Sequence, residues 1–127
     1  MATERRRVLV VEDSPMMVRM YRMVLGPRYD LAFAADGAEG LDAAARDPGI
    51  HAMVVDVNMP GMDGLEFIRR VRGELGMTEV PVLVCSTEAA PADREAARSA
   101  GADGFLAKPW QPVELLAVLG AQLGETP

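Results

Sequence analysis

The chain has 127 residues, of which half are apolar and a quarter are charged, and this is the size and composition of one ordinary globular domain. Its formal net charge is −6, whereas a surface that binds nucleic acid or an anionic membrane requires a basic patch. The apolar runs, such as residues 8–11 and 82–85, are far shorter than the roughly 20 residues of a membrane span. We therefore expect no nucleic-acid partner and no membrane insertion.

The chain contains one cysteine, Cys85. An intramolecular disulfide and a multi-thiolate metal site are thus excluded, and a reducing, cytoplasmic location is expected. The arginines at positions 5–7 precede too short an apolar run for a signal peptide. Because a second folded unit would need roughly 50 further residues, we expect a single domain over residues 1–127, with its core at about 6–123.

Apolar runs that are typical of buried strands alternate along the chain with signals for helices. Strands are predicted at residues 7–11, 29–34, 50–57, 80–85 and 104–108. Helices are predicted to begin at Ser14-Pro15, at Asp36-Gly37, near Leu65, at Pro91 and at Pro112. Most of these starts carry a capping residue or a proline at the first helical position.

Helical spacing also predicts which residues of three helices face the core. The inward residues are Met17 and Met20 in the first helix, Ala38, Leu41 and Ala45 in the second, and Ala96, Ala97 and Ala100 in the fourth. Met16 and Met23 are expected to be exposed. The fourth helix thus has the thinnest apolar anchor of the five.

The strands are apolar enough to be buried on both faces, which favours a parallel sheet with helices on each side. Right-handed crossovers then produce a doubly wound sheet, for which 2-1-3-4-5 is one common strand order. We therefore predict an α/β fold of the flavodoxin-like kind, with a five-stranded parallel sheet in that order and five helices.

Carboxylates stand at the ends of two predicted strands that become neighbours in such a sheet. Glu12 and Asp13 follow the first strand and Asp56 ends the third, and ligands of doubly wound sheets bind at this edge, where the strand order reverses. Crowded carboxylates require a proton or a cation, and oxygen ligands select a hard cation such as Mg²⁺. Alternatively, Asp13 caps a helix and Asp56 begins a turn, but Ser14 already provides the cap. We favour the metal site.

The last two strands end in groups that suit a phosphoryl ligand. Ser86 places a hydroxyl at the end of the fourth strand, and Lys108 is the only lysine in a chain with twelve arginines. A compact ammonium binds a phosphoryl oxygen as a point charge, whereas arginine favours a planar fork. A local backbone contact is an equally good interpretation of Ser86 taken alone. Together with Asp56 and a cation, these groups are the parts for phosphoryl transfer onto an aspartate.

Four segments carry a resemblance to a known family: VLVVED at 8–13, DVNMPGMDG at 56–64, the Cys85-Ser86 strand end and FLAKP at 105–109. In this order they resemble the receiver domains of bacterial two-component response regulators, of the stand-alone chemotaxis type. The resemblance covers nearly the whole chain. It departs from the usual pattern at Glu12, where aspartate is more frequent, and at Trp110, where phenylalanine is usual.

The resemblance implies a signalling switch in which Asp56 accepts a phosphoryl group from a histidine kinase or a phosphotransfer protein. It implies that Asp13 and Asp56 ligate Mg²⁺ through their side chains and Asn58 through its carbonyl, while Glu12 holds a metal-bound water. Ser86 and Lys108 would each bind a phosphoryl oxygen. The downstream protein target is unknown, and a monomer or a weak dimer is expected.

The resemblance also assigns a switch residue and two residues that tune the lifetime of the phosphorylated state. Phe105 matches the switch aromatic that turns inward on phosphorylation, although an ordinary half-buried strand residue fits the sequence equally well. Asn58 and Glu88 would flank the path of the water that hydrolyses the acyl phosphate. The protein would therefore assist only its own phosphorylation and dephosphorylation.

Two other functional classes remain as alternatives. One is a phosphorylation-independent interaction module with the same fold, against which the complete set of polar groups weighs. The other is an enzyme, but an aspartate-nucleophile phosphatase would need a second acid at position 58, which is Asn58. Cys85 is interpreted as a buried apolar residue, and His51 as a solvated loop histidine without a partner.

Overall fold

A computed structural model describes residues 5–125. Ten elements alternate along this part of the chain, in agreement with the predicted order. They are β1 (Arg7–Val11), α1 (Pro15–Leu25), β2 (Asp30–Ala34), α2 (Gly37–Arg46), β3 (Ala52–Asp56), α3 (Gly64–Gly73), β4 (Val82–Ser86), α4 (Pro91–Ala100), β5 (Gly104–Ala107) and α5 (Pro112–Gln122).

The strands form one sheet in the order β2-β1-β3-β4-β5, and every neighbouring pair is parallel. This confirms the predicted doubly wound α/β fold. The register pairs Val11 with Val55 and Asp56 with Cys85, so the carboxyl ends of β1, β3 and β4 meet at one edge of the sheet.

Alternate strand residues enter two separate cores. On one face, Val55 and Val84 pack with residues of α2, α3 and α4, among them Phe67. On the other face, Val54 and Cys85 pack with residues of α1 and α5. Because both faces of β1, β3 and β4 are covered by helices, these strands are continuous apolar runs rather than alternating ones.

Most helices begin with a side chain that accepts a free backbone amide of the first turn, or with a proline, which has no amide to satisfy. Ser14 Oγ accepts the amide of Met17 at 3.3 Å, and Asp36 caps α2 in the same way. Asp63 Oδ1 accepts the amide of Glu66 at 2.9 Å, so α3 starts at a cap that the apolar pattern alone does not locate. These local bonds set the helix starts independently of the core.

Several predicted helix faces are wrong. Met20 is 38% exposed and Ala96 is exposed. In α2 the residues that face the core are Gly37, Gly40 and Ala44, and not Ala38 and Ala45. The reason is steric, because α2 lies so close to its neighbours that glycine occupies the points of contact.

Three smaller observations complete the fold. His51 is exposed, as predicted, but it has a partner, because its Nδ1 accepts the backbone amide of Arg7 at 2.9 Å. The Lys108-Pro109 peptide bond is cis. Within residues 5–125, no helix combines the length and apolar character that a membrane crossing demands.

Candidate functional site

The ends of β1 and β3 bring three carboxylates together. Glu12 and Asp13 directly follow β1, and Asp56 is the last residue of β3. One ligand oxygen from each lies within 4.8 Å of the other two. Glu12 is only 2% exposed and Asp56 is 7% exposed, whereas Asp13 is exposed to solvent. The predicted acidic cluster therefore exists as a site with two buried members and one solvent-facing member.

Backbone contacts hold the two buried carboxylates in position. The Glu12 amide donates to Ala34 O at 2.9 Å, and its Oε2 accepts the amide of Ser14 at 3.2 Å. Behind Asp56, α3 approaches so closely that a Cβ on Gly64 would lie 2.2 Å from the Asp56 carbonyl oxygen. Only glycine permits this approach, so Gly64 supports the site without contributing a functional group.

Lys108 bridges the two buried acids. Its Nζ lies 2.8 Å from Glu12 Oε1 and 3.2 Å from Asp56 Oδ1, and its side chain is 10% exposed. The Lys108 amide donates to Ser86 O at 2.8 Å, which ties the loop after β5 to the end of β4. The only lysine of the chain thus lies inside the carboxylate cluster.

Burial and charge act in opposite directions on these groups. Burial raises the pKa of Glu12 above its usual value, against the hydrogen bond and the charge of Lys108. Burial by itself would lower the pKa of Lys108, but the hydrogen bond and charge of Glu12, together with Asp56, outweigh it, and the net shift of the pKa is upward. Lys108 is therefore a cation at neutral pH.

The charge and chemistry of the cluster fit a divalent metal ion. With all groups ionised, three carboxylates and one ammonium leave two uncompensated negative charges. The ligand atoms are all oxygens, which favours a hard cation such as Mg²⁺ over softer metals. The exposed position of Asp13 leaves the solvent side open, as an ion that retains several waters requires.

Ser86 ends β4 beside this cluster and is 1% exposed. Its Oγ accepts the amide of Glu88 at 3.1 Å, so the oxygen lone pair is used locally. Within residues 5–125, the Ser86 hydroxyl makes no hydrogen bond as a donor. A hydroxyl in this state has its proton available for an incoming acceptor.

Three other residues that the sequence singles out, Asn58, Glu88 and Phe105, make no hydrogen bond to the cluster. Asn58 and Glu88 are exposed, and their side chains make no hydrogen bond to the residues that the structure describes. Phe105 is half-buried and borders a cavity of about 40 Å³ that Ser86 also lines. The structure thus groups Glu12, Asp13, Asp56 and Lys108, with Ser86 at their side.

Sequence reasoning did not find Arg94. The Cζ atom of Arg94 lies 4.8 Å from the centroid of the Phe105 ring, although the two residues are on different elements. No local sequence signal marks this pair, because it depends on how α4 packs beside β5.

Comparison with known proteins shows which family the chain resembles. A family model described as the response regulator receiver domain matches residues 8–120. Response regulator MprA of Mycobacterium tuberculosis is 40% identical over 121 residues, which cover 94% of this chain and 51% of that protein. The chain spans about half the length of several curated relatives that it matches.

Solved structures of similar fold include single receiver units. Chemotaxis protein CheY4 of Vibrio cholerae has a TM-score of 0.87 and 34% identity, with 93% of this chain and 98% of that chain covered. The receiver domain of sensor histidine kinase PA1611 from Pseudomonas aeruginosa has a TM-score of 0.88 and 28% identity, with 96% and 100% covered. That structure holds a magnesium ion in its active-site cleft.

Proposed function

We propose, because this chain belongs to the response regulator receiver domain family, that it is a phosphorylation-dependent signalling switch whose phosphoacceptor is Asp56. Members of this family are signalling phosphoacceptors of two-component systems and not classical enzymes. The observation that carries the proposal is the position of Asp56, beside two other carboxylates and within 3.2 Å of the Lys108 ammonium.

In the proposed reaction, a carboxylate oxygen of Asp56 attacks the phosphorus of a phosphohistidine. The new P–O bond forms as the P–N bond breaks, and the imidazole leaves with the electron pair and takes a proton from solvent. The product is an acyl phosphate. Asp56 Oδ1 contacts Lys108 Nζ, while Oδ2 has no hydrogen-bond partner within residues 5–125, so one oxygen of the nucleophile is unengaged.

Asp13 and Asp56 would hold Mg²⁺ through their side chains, the Asn58 carbonyl would be a third ligand, and Glu12 would act through a metal-bound water. When bound, the ion supplies neutralisation of the negative charge that develops on the transferred phosphoryl group. The fit of the oxygen-only cluster and its two excess negative charges supports this assignment.

Ser86 and Lys108 complete the proposed site. The unused hydroxyl proton of Ser86 suits one phosphoryl oxygen, and the Lys108 ammonium suits another. Because Lys108 is bound to both buried acids before the reaction, a phosphoryl group on Asp56 competes for a cation that is already in place. No reorganisation of distant residues is needed to bring it there.

The proposal extends to partners and lifetime. The donor is a sensor histidine kinase or a phosphotransfer protein, and the receiver of the signal is another protein.

We place the protein in the cytoplasm, where a free thiol such as Cys85 is normally reduced. Residues 1–127 would form one receiver domain, as a monomer or a weak dimer, which assists only its own phosphorylation and dephosphorylation. Asn58 and Glu88 would control access of the hydrolytic water.

The test is phosphorylation by acetyl phosphate in the presence of Mg²⁺, followed by intact-mass measurement. We expect one phosphoryl adduct in the wild type and none in Asp56→Asn, because an amide is not a usable nucleophile here. Asp63→Asn is the matched control, because it makes the same change at a helix N-cap, where asparagine is as good as aspartate. An adduct that persists in Asp56→Asn contradicts the assignment.

A further inference from the structure

Phe105 is bordered by two different environments. On the side of β4 lies the cavity of about 40 Å³, which Ser86 and Ala96 also line. Against the ring itself lies the Arg94 guanidinium, with Cζ 4.8 Å from the ring centroid. The cavity has room for only a few water molecules, so entry of the aromatic ring requires the surrounding loop to move.

Arg94 also holds that loop. Its Nε donates to the carbonyl oxygen of Ala89 at 3.1 Å, and Ala89 lies between Ser86 at the end of β4 and Pro91 at the start of α4. Within residues 5–125, no carboxylate lies within 4.0 Å of the Arg94 guanidinium. Its two recorded partners are therefore the aromatic ring and the loop carbonyl.

These contacts favour one arrangement of ring and loop. A guanidinium over an aromatic face is attracted by the ring quadrupole, and this attraction is lost when the ring moves away from α4. The bond to Ala89 is likewise lost when the loop shifts toward the cluster. α4 buries only Ala97 and Ala100, which lie in its second half. Its first turn is held by the Arg94 contacts together with the bond from the Ala90 amide to Asp93 Oδ2.

We propose that Arg94 is a restraining residue that keeps Phe105 and the Ser86–Pro91 loop in the unphosphorylated arrangement, and so sets how strongly the protein responds to a phosphoryl group. This rests on the proposed function. Binding of a phosphoryl group and release of Arg94 are linked, so a group that stabilises the resting arrangement must weaken phosphoryl binding by the same factor. Arg94 acts through Phe105 and the loop, and it touches no reacting atom.

The experiment measures the affinity of beryllofluoride, a phosphoryl mimic, by calorimetry in excess Mg²⁺. Arg94→Ala is expected to bind the mimic about two- to fivefold more tightly than the wild type. This factor is the free energy of an exposed cation–π contact, expressed as a ratio of affinities. Arg98→Ala is the matched control, because it removes the same charge one turn later from a residue that pairs with Glu95. The control is expected to bind like the wild type.

A double-mutant cycle shows whether the effect acts through the ring. In a Phe105→Leu background, the gain from Arg94→Ala is expected to shrink. Equal affinities in wild type and Arg94→Ala, an equal gain in Arg98→Ala, or a gain that is unchanged in the Phe105→Leu background would each overturn the inference.

A second readout separates this inference from the proposed function. In unphosphorylated protein, nuclear Overhauser contacts between the Phe105 ring and the methyl groups of Val57, which lines the same cavity away from α4, are expected to strengthen in Arg94→Ala. A wild type that binds no beryllofluoride contradicts the proposed function. Ring contacts that are identical in Arg94→Ala and wild type contradict the restraint by Arg94, whether or not the mimic binds.

Discussion

Asp13 differs from the other acids of the cluster because its carboxylate is exposed and has no hydrogen-bond partner within residues 5–125. Under the proposed function it is a charged ligand of Mg²⁺ that need not be released from Lys108. We expect Asp13→Asn to weaken Mg²⁺ binding on the order of tenfold, since ligand charge tunes the affinity of oxygen sites. Calorimetric titration measures the change directly.

The control for this measurement is Asp63→Asn, which alters an acid that caps α3. Its Mg²⁺ affinity should match that of the wild type. Unchanged affinity in Asp13→Asn would show that the ion does not use this carboxylate.

Asn58 is an exposed polar side chain two residues after the proposed phosphoacceptor. Under the proposed function, this side chain would leave room for water to approach an acyl phosphate on Asp56. We expect Asn58→Met to lengthen the lifetime of the phosphorylated state by roughly three- to tenfold, because the bulkier apolar side chain blocks the approach of water. A tenfold change corresponds to about 1.4 kcal/mol of activation free energy. The lifetime is measured by loss of the phosphoryl adduct after the donor is removed.

Glu66→Met is the control, because it adds the same side chain at an exposed position of α3, and its lifetime should not change. If Asn58→Met shortens the lifetime, or if the wild type keeps its phosphoryl group for hours, the proposed role of Asn58 in admitting water is wrong.

At the scale of one element, α2 packs through glycine. A Cβ built on Gly40 would lie 2.9 Å from Phe67 Cε1 and 3.1 Å from Val11 Cγ2. Both neighbours are fully buried, so the added methyl group must displace side chains inside the core. We expect Gly40→Ala to lower the free energy of unfolding by about 1–3 kcal/mol, the usual range for overpacking, as measured by urea denaturation.

Gly73→Ala provides the contrast, because a Cβ on Gly73 meets nothing within 4 Å. This change should raise the free energy of unfolding by about 0.4–1 kcal/mol through the entropy of the unfolded chain. If Gly40→Ala is as stable as Gly73→Ala, α2 does not pack tightly against Phe67 of α3.

At the scale of the whole molecule, buried acids link stability to pH. Burial raises the pKa of the Cys85 thiol from 9.0 to about 12, so the folded state keeps a proton that the unfolded chain loses. The free energy of unfolding is unaffected by this group below pH 9. Above pH 9 it falls as the pH rises toward 12, because the unfolded state then binds fewer protons, with a slope of up to about 1.4 kcal/mol per pH unit.

Urea unfolding of wild type and Cys85→Ala between pH 8 and pH 10.5 measures this contribution. The variant is expected to lose less stability over the range, whatever its stability at pH 8. Tyr29, whose pKa burial raises, is the same in both proteins. The pKa of Tyr21 is raised by burial and also by Cys85, so the difference reports the thiol together with its interaction with Tyr21. If the free energy of unfolding falls equally with pH in both proteins, Cys85 does not contribute to the pH dependence.

The elements, the parallel sheet and the place of the acidic cluster could all be predicted from the amino-acid sequence. Each depends on short-range information or on a general rule of parallel sheets. Ser14 caps the helix that it begins, and the apolar run of β4 is continuous in the sequence. Because parallel strands end at a shared edge, the proximity of Glu12 and Asp56 could be predicted without coordinates.

Which side chains meet across the elements, in contrast, depends on how the elements pack and could not be predicted. Lys108 reaches Glu12 across 96 positions of the chain, and Arg94 covers Phe105 because α4 packs beside β5. The buried face of α2 could not be predicted from spacing, since alanine and glycine differ little in hydropathy and the choice depends on how closely Phe67 approaches Gly40. Such distances between remote residues are properties of the packed molecule and leave no mark in a local pattern.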